Sequence, residues 1–222
     1  MRLTDILGPV MVGPSSSHTA GAVKIGLVAL KLLGESPKRA DIFLSGSFAL
    51  TGAGHGTDLA IIAGLLGMKP DDLRISKSFS VAEEKGLEFS FSVKNIRNAH
   101  PNTVQIKLCG CTGRTLDIIA ESIGGGRIHI SHIDGIEANF YCEHNTLIVH
   151  NQDVPGHVAA VSAALKEQNI NIATMQLYRS VHGGYAVMIL ECDEPIPRDI
   201  ENKLSHIKGI KKVTVFNQEE EL

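Results

Sequence analysis

Tryptophan is missing from the 222 residues and aromatic side chains make up only 5 % of them, in a composition otherwise ordinary for a soluble globular protein. Basic residues are not in excess. The 21 Lys and Arg against 24 Asp and Glu give a formal net charge of −3, which leaves no electrostatic footprint for nucleic acid. No apolar run approaches the length of a membrane span, so no membrane partner is expected. The opening stretch MRLTDILGPVMVGP is interrupted by Asp5, Gly8, Pro9 and Gly13 before the apolar core of a secretory signal could form, and a cytoplasmic protein is expected. Cysteine is scarce too. Cys109, Cys111, Cys142 and Cys192 are too few and too scattered for a disulfide framework. The CGC at 109–111 could offer two thiolates to a metal, but behind the alternating TVQIKLC it reads more simply as small residues packed on a sheet.

What is present suggests an α+β protein of two domains, expected at 1–142 and 146–222, with YCEHN (141–145) as the link. The C-terminal third is the easier to read. TLIVHN (146–151) is a short β-rich run. VPGHVAAVSAALKEQ (154–168) places Pro155 at a helix start, where a missing N–H is no loss. INIATMQLYRS (170–180) and GYAVMILEC (184–192) are strand-like, PRDIENKLSHI (197–207) is amphipathic, and IKKVTVFN (210–217) alternates. The order is the βαββαβ of ferredoxin-like domains. Pro155-Gly156 and the NINIA run at 169–173 resemble an ACT domain, the small-molecule-sensing module of amino-acid enzymes. In serine-sensing ACT domains a His and an Asn precede the Pro-Gly and another Asn opens the second strand. Asn171 matches the last, Asn151 and Asp153 stand at the first two positions, and His150 is displaced by one residue, which on a strand turns it to the opposite face.

The first domain reads as helices near 18–33 and 57–67 with strands at 41–47, 87–93, 103–109 and 126–133. Two loops stand out. VGPSSSHTAG (12–21) precedes apolar residues at Val23, Leu27, Leu30 and Leu33, one helical face. The polar run is therefore a helix entrance, whose unpartnered N–H groups suit a carboxylate or phosphate. TGAGHGTDLA (51–60) repeats the plan of strand, glycine-rich loop, histidine and helix. Gly52, Gly54 and Gly56 permit positive φ, and Thr57 and Asp58 can cap the helix that follows. This loop has no Walker lysine and is one residue short of the G-x-G-x-x-G fingerprint. His18 and His55 each stand at a helix start, where a nearby partial positive charge keeps an imidazole neutral and useful as a base. His100, extended before Pro101, lines the same cleft or sits in a plain turn. Gly124 to Gly126 permit a bulge or a close approach to a ligand. His129 and His132, three apart on a strand, should point to opposite faces and share no metal.

GPSSSHTAG, TGAGHGTD, HPNT and SIGGG, in this order, resemble the N-terminal part of iron–sulfur-dependent L-serine dehydratases. With the ACT-like tail, the whole chain resembles the beta subunit of the two-chain form. The resemblance implies a first domain similar to the allosteric substrate-binding domain of phosphoglycerate dehydrogenase. It also implies deamination of L-serine to pyruvate and ammonia with a [4Fe–4S] cluster, one iron of which acts as a Lewis acid on the serine hydroxyl. His55 is then the expected general base, with an imidazole pKa suited to neutral pH. His18, with Ser16, Ser17 and Thr19, becomes a carboxylate or cluster-side partner, and Thr57 and Asp58 complete the substrate-binding set. In the family the thiolates that hold a cluster belong to the alpha subunit. The chain itself is expected to hold no metal, to be inactive without that partner, and to self-associate through its ACT domain. A free-standing amino-acid sensor is the alternative, and would bind an amino acid reversibly with neither iron nor turnover.

Overall fold

The chain divides into two units between Gly135 and Ile136, ahead of the 141–145 stretch expected to join them. The computed structural model describes residues 10–13 and 15–217, with the backbone alone at Ala53. Pro14 and the ends of both expected domains, residues 1–9 and 218–222, lie outside the described residues.

In the first unit, strands β1 (Pro37–Leu44), β2 (Glu88–Val93), β3 (Thr103–Gly110), β4 (Thr115–Gly124) and β5 (Arg127–Ile133) lie in the order β2-β1-β3-β4-β5. β2 runs parallel to β1 and the other pairs are antiparallel. Period-two alternation turns one face inward: Ala40, Ile42 and Leu44 stand opposite Leu108, Ile106 and Val104, which stand opposite Leu116, Ile118 and Ala120, and all nine are buried. Helix α1 (Ala22–Leu33) packs against this sheet and against α3 (Thr57–Leu65). The two helices meet at bare backbone. A Cβ on Gly26 would stand 2.4 Å from the Ile61 carbonyl oxygen, and one on Gly64 would stand 2.1 Å from that of Val23.

Three local features depart from the sequence reading. The strand expected over 41–47 stops at Leu44, and Gly46, with φ of 57°, begins helix α2 (Gly46–His55). The helix expected from residue 18 opens as a π-helical turn, Ser16–Gly21, before α1. β4 and the short helix α4 (Ser78–Glu84) are additional elements. A further departure concerns His129 and His132. β5 pairs with β4 through Glu121–His129, Ala120–Ile130, Ile119–His132 and Ile118–Ile133, so Ser131 is a bulge. Ile130 and Ile133 therefore share the buried face, and both histidines share the other.

The second unit contains β6 (Ile136–Phe140), β7 (Asn145–Gln152), α5 (His157–Glu167), β8 (Ile172–Arg179), β9 (Tyr185–Cys192), α6 (Asp199–Ser205) and β10 (Ile210–Phe216). From β7 onward the order is βαββαβ, in an antiparallel sheet β10-β7-β9-β8, as expected for a ferredoxin-like module. Leu147, Val149, Met188 and Leu190 from the sheet meet Val161, Leu165, Ile200 and Leu204 from the helices. Among the described residues no helix is long and apolar enough to cross a membrane.

Two outcomes follow for stability. Gly26→Ala or Gly64→Ala forces backbone apart and should destabilise the chain by about 1–3 kcal/mol in urea unfolding, whereas Gly54→Ala, whose Cβ meets nothing within 4 Å, should be neutral or mildly stabilising. His150 is 1 % exposed, with Nδ1 2.6 Å from the Tyr185 hydroxyl. Burial first, and Lys212 second, bring its pKa from 6.5 down to about 4. Between these values the unfolded chain binds a proton that the folded chain refuses. Stability should therefore be unaffected by this group above pH 6.5 and fall by up to about 3 kcal/mol as pH drops toward 4. His150→Gln should flatten that slope in denaturation at stepped pH.

Candidate active site

His18 is held from two sides. Ser15, in extended backbone, caps the π-helical turn: its Oγ accepts a hydrogen bond from the His18 backbone N–H at 3.2 Å and lies 3.3 Å from ring Nδ1. On the other side Nε2 faces Thr51 Oγ1 at 3.0 Å and Ser47 Oγ at 3.3 Å. Ser47, Thr51 and His55 occupy positions i, i+4 and i+8 of α2, a single helical face. That face carries the His55 ring to a centroid distance of 5.0 Å from His18, and Phe48 closes on His18 edge-on at 5.3 Å.

This arrangement exists because TGAGH is helical. Gly52 and Gly54 lie within α2, and of the three glycines only Gly56 has positive φ, at 70°, where it ends α2 and starts α3. The glycine-rich loop expected here is thus a helix–glycine–helix joint. Its cap also differs from expectation. Gly56 precedes α3 with no side chain to offer, and the Asp58 carboxylate accepts from the adjacent Leu59 N–H at 2.8 Å. Thr57 is fully buried and Thr19 is 3 % exposed, and neither hydroxyl has a hydrogen-bond partner among the described residues. Both side chains face inward, while Ser16 and Ser17 are half-buried at the entrance.

The HPNT loop is tied to the same helix. Pro101 O accepts the Ser47 N–H at 2.6 Å and Thr103 O accepts the Ser45 N–H at 3.0 Å. Gly46 is required at this contact, since a Cβ there would stand 2.3 Å from Pro101 O. Within the loop, His100 Nδ1 accepts the Asn102 N–H at 3.1 Å, and the Thr103 hydroxyl donates to His100 O at 2.6 Å. Ser47 was not visible as a functional residue in the sequence. Its signal is the four-residue spacing to Thr51 and His55, legible only once 46–55 is taken as helix.

The electrostatics separate the two histidines. Burial first, and the neighbouring His55 second, hold the His18 pKa below 6.5, against an opposing contribution from the Ser47 backbone. His18 is therefore neutral near pH 7, with one nitrogen donating and one accepting. Thr51 spends its proton on Ser47 O at 2.9 Å, so its oxygen accepts from Nε2–H and Nδ1 is the acceptor facing Ser15. Both nitrogens of His18 are occupied, whereas the His55 side chain is exposed. The site thus brings together a polar helix entrance, a pinned neutral imidazole and a second, exposed imidazole.

The described residues do not fit an iron–sulfur cluster, which needs a set of thiolates. Cys109 is half-buried, Cys111 exposed, and Cys142 and Cys192 buried. Burial pushes the Cys192 thiol up to about 11, far from a ready thiolate. Among the described residues no group of three or more His, Cys, Asp or Glu could hold a metal ion. In the second unit, Asn151 is buried with its amide on Gln152 O, and Asp153 accepts from Arg179 and the Gly183 N–H. Asn171 donates to Asp193 near the Asn145–Cys192 end of the sheet, six residues along β7 from Asn151, or about 20 Å. The three candidate effector positions do not form one pocket within a chain.

This is the architecture of an amino-acid enzyme chain with an ACT module: residues 145–207 match the family model of the ACT domain. Residues 3–133, more than half of the sequence, match that of the serine dehydratase beta chain, and the chain belongs to that family. It is 42 % identical over 210 residues to a Bacillus subtilis (strain 168) protein named "Probable L-serine dehydratase, beta chain", covering 95 % of each. The L-serine dehydratase beta chain of Peptoniphilus asaccharolyticus is 37 % identical over 211 residues, covering 95 % of this chain and 94 % of that one. D-3-phosphoglycerate dehydrogenase of Bacillus subtilis (strain 168) is 28 % identical over 159 residues, which is 71 % of this chain and 30 % of the enzyme. The likeness expected of the first domain thus appears at sequence level.

Replacing His55 with Gln removes the like charge beside His18 but leaves its burial. The His18 ring should then titrate at higher pH than in the parent chain and still below 6.5. Following the imidazole Cε1 proton by NMR across pH 4–8 would read both values.

Proposed function

We propose that this chain is the beta subunit of an L-serine dehydratase, which converts L-serine to pyruvate and ammonia in the cytoplasm. The observation that carries the reading is the pairing of a pinned His18 with an exposed His55 at the entrance of α1, in a chain similar over nearly its whole length to dehydratase beta chains. The serine carboxylate is taken by the N–H groups and hydroxyls of Ser16 and Ser17, where a helix entrance favours negative charge. His55 removes the Cα proton. His18, neutral and locked by Ser15, Ser47 and Thr51, orients the substrate and keeps a second positive charge away from His55. Thr19, Thr57 and Asp58 act behind this layer by shaping the turn and the joint.

Departure of the serine hydroxyl is left to an alpha subunit, the bearer of the [4Fe–4S] cluster that the family resemblance implies. The chain is therefore inactive alone and completes an active site shared with that partner. Loss of the hydroxyl leaves an enamine, which becomes an imine and is hydrolysed to pyruvate and ammonia. Two copies pair through their ACT units, a reading supported by the exposed Met175 and Leu177 on edge strand β8 and Val154 and Val158 around the start of α5. Nearly full-length similarity to beta chains does not favour a free-standing sensor.

The test is anaerobic purification of the tagged chain from its own cells, with assay of iron, sulfide and L-serine-dependent pyruvate. A cysteine-rich partner with iron and turnover is expected, and a solitary, iron-free chain that binds an amino acid would overturn the reading. In the reconstituted pair, His55→Ala should lower turnover by roughly 10²–10⁴-fold with serine binding retained. Lost binding with intact chemistry would remove His55 from the role of base.

A further inference from the structure

A cavity of about 350 Å³ opens at the far end of α1 from His18. Leu30 in the last turn of α1, Leu65 at the end of α3 and Leu87 before β2 line it, with Lys38, Lys85 and Cys111. α1 has twelve residues, so the two ends lie about 18 Å apart, and the cavity is separate from the histidine site. Leu65 and Leu87 are 1 % and 4 % exposed and form a floor, while Lys38 and Lys85 are exposed. Local backbone sets the two cations in place. Lys38 occupies the slip in pairing between β1 and β3 that separates Pro37 from Arg39, where a bulge re-aims its neighbours. Lys85 follows the last residue of α4, just before Gly86, whose φ of 70° turns the chain back into β2.

Among the described residues that line the cavity none is acidic. Three carboxylates adjoin lining residues in sequence without lining the cavity: the exposed Glu84 and Glu88, and Glu35, which accepts the N–H groups of Thr112 at 3.1 Å and Arg114 at 3.3 Å. The lysines are left with no anion of the cavity's own. The volume falls in the range of small-molecule sites, which combine apolar walls with a few polar groups that fix orientation. An inorganic anion would satisfy the lysines and leave the leucine floor wet, and a neutral hydrocarbon would do the reverse.

We propose that this cavity is a second ligand site, for a small monocarboxylate with a branched or aromatic body. The carboxylate lies between Lys38 and Lys85 and the body covers Leu30, Leu65 and Leu87, beside the thiol of Cys111. The proposal stands on the first unit alone and is independent of the reaction at His55.

The probe is 4-fluorophenylacetate, added to the full chain. Binding is followed by ¹⁹F NMR, and iodoacetamide labelling of Cys111 is followed by mass spectrometry of its peptide. Saturable binding is expected, together with protection of Cys111 and unchanged His18 and His55 imidazole signals. Lys38→Ala with Lys85→Ala, both at exposed positions, should weaken binding by about tenfold without altering the circular dichroism. The neutral 4-fluorophenylacetamide should lose a similar factor. Leu30→Phe, which narrows the cavity, should abolish protection. The proposal is overturned if the probe does not bind saturably, if Cys111 labels at the same rate when the probe is bound, if the lysine variant binds as tightly as the parent, or if inorganic phosphate protects equally well.

Discussion

The backbone contact between α1 and α3 is the constraint on which the rest of the first unit depends. With Gly26 and Gly64 at the crossing, the helices approach until each glycine lies against the other's main chain. Close approach fixes the helices more tightly than interdigitated side chains would, because backbone has no rotamers with which to relax. Each helix leads straight out of one histidine-bearing element. α1 continues the turn that carries His18, and α3 follows Gly56, where α2 ends with His55. The 5.0 Å spacing of the two rings is therefore a consequence of helix packing a turn or two away, and Ser47 and Thr51 only set the angle at which His18 meets it.

How much of this could be read beforehand differed between the units for physical reasons. The second unit announces itself because its signals are local: Pro155 at a helix start, strands that alternate, and turns that separate them. In the first unit the deciding contacts are distant in sequence. Glycine's low helix propensity argued for a loop over 51–56, yet Gly52 is buried with its Cα facing Thr57, and a Cβ there would reach the threonine Cβ at 3.5 Å. That is ordinary contact, and a Cβ on Gly54 would meet nothing within 4 Å, so crowding does not explain both glycines; the packing of the Ser47, Thr51 and His55 face against His18 overrides propensity. The same holds for His129 and His132: counting by twos sends them to opposite faces, and only the slip at Ser131 puts them on one. The strand β4 escaped attention because Asp117 and Glu121 alternate with its buried Leu116, Ile118 and Ala120 and dilute its apolar character. The histidine loops themselves were legible from composition alone; their mutual contact was not.

The two imidazoles show how environment assigns roles to identical side chains. A ring with both nitrogens occupied and its charged form disfavoured by burial cannot shuttle protons without breaking hydrogen bonds to Ser15 and Thr51. It can hold a fixed orientation and a fixed neutral charge. The neighbouring ring is exposed and lies 5.0 Å away. What the site lacks is equally specific. The proposal gives it donors for an anion and a base for a carbon acid, but its thiols do not fit a cluster, and in the proposed elimination the departing oxygen would need an electrophile from outside the described chain. Under the proposed reaction such a half-site requires a second surface.

α1 connects the two ends of the first unit, with the polar entrance that carries His18 at its start and the lysine-rimmed cavity at its close. Most of its residues are buried, and its capping Gly34 takes the left-handed conformation that ends a helix without strain. Such a helix shifts as a rod or does not shift. A ligand lodged against Leu30 can act on His18 only by sliding α1 along α3, and the contact at Gly26, where even a Cβ would meet the Ile61 carbonyl, resists that motion. The contact that sets the histidine spacing thus also limits communication between the two sites: under the proposal, a ligand in the cavity leaves the rings of His18 and His55 in their places.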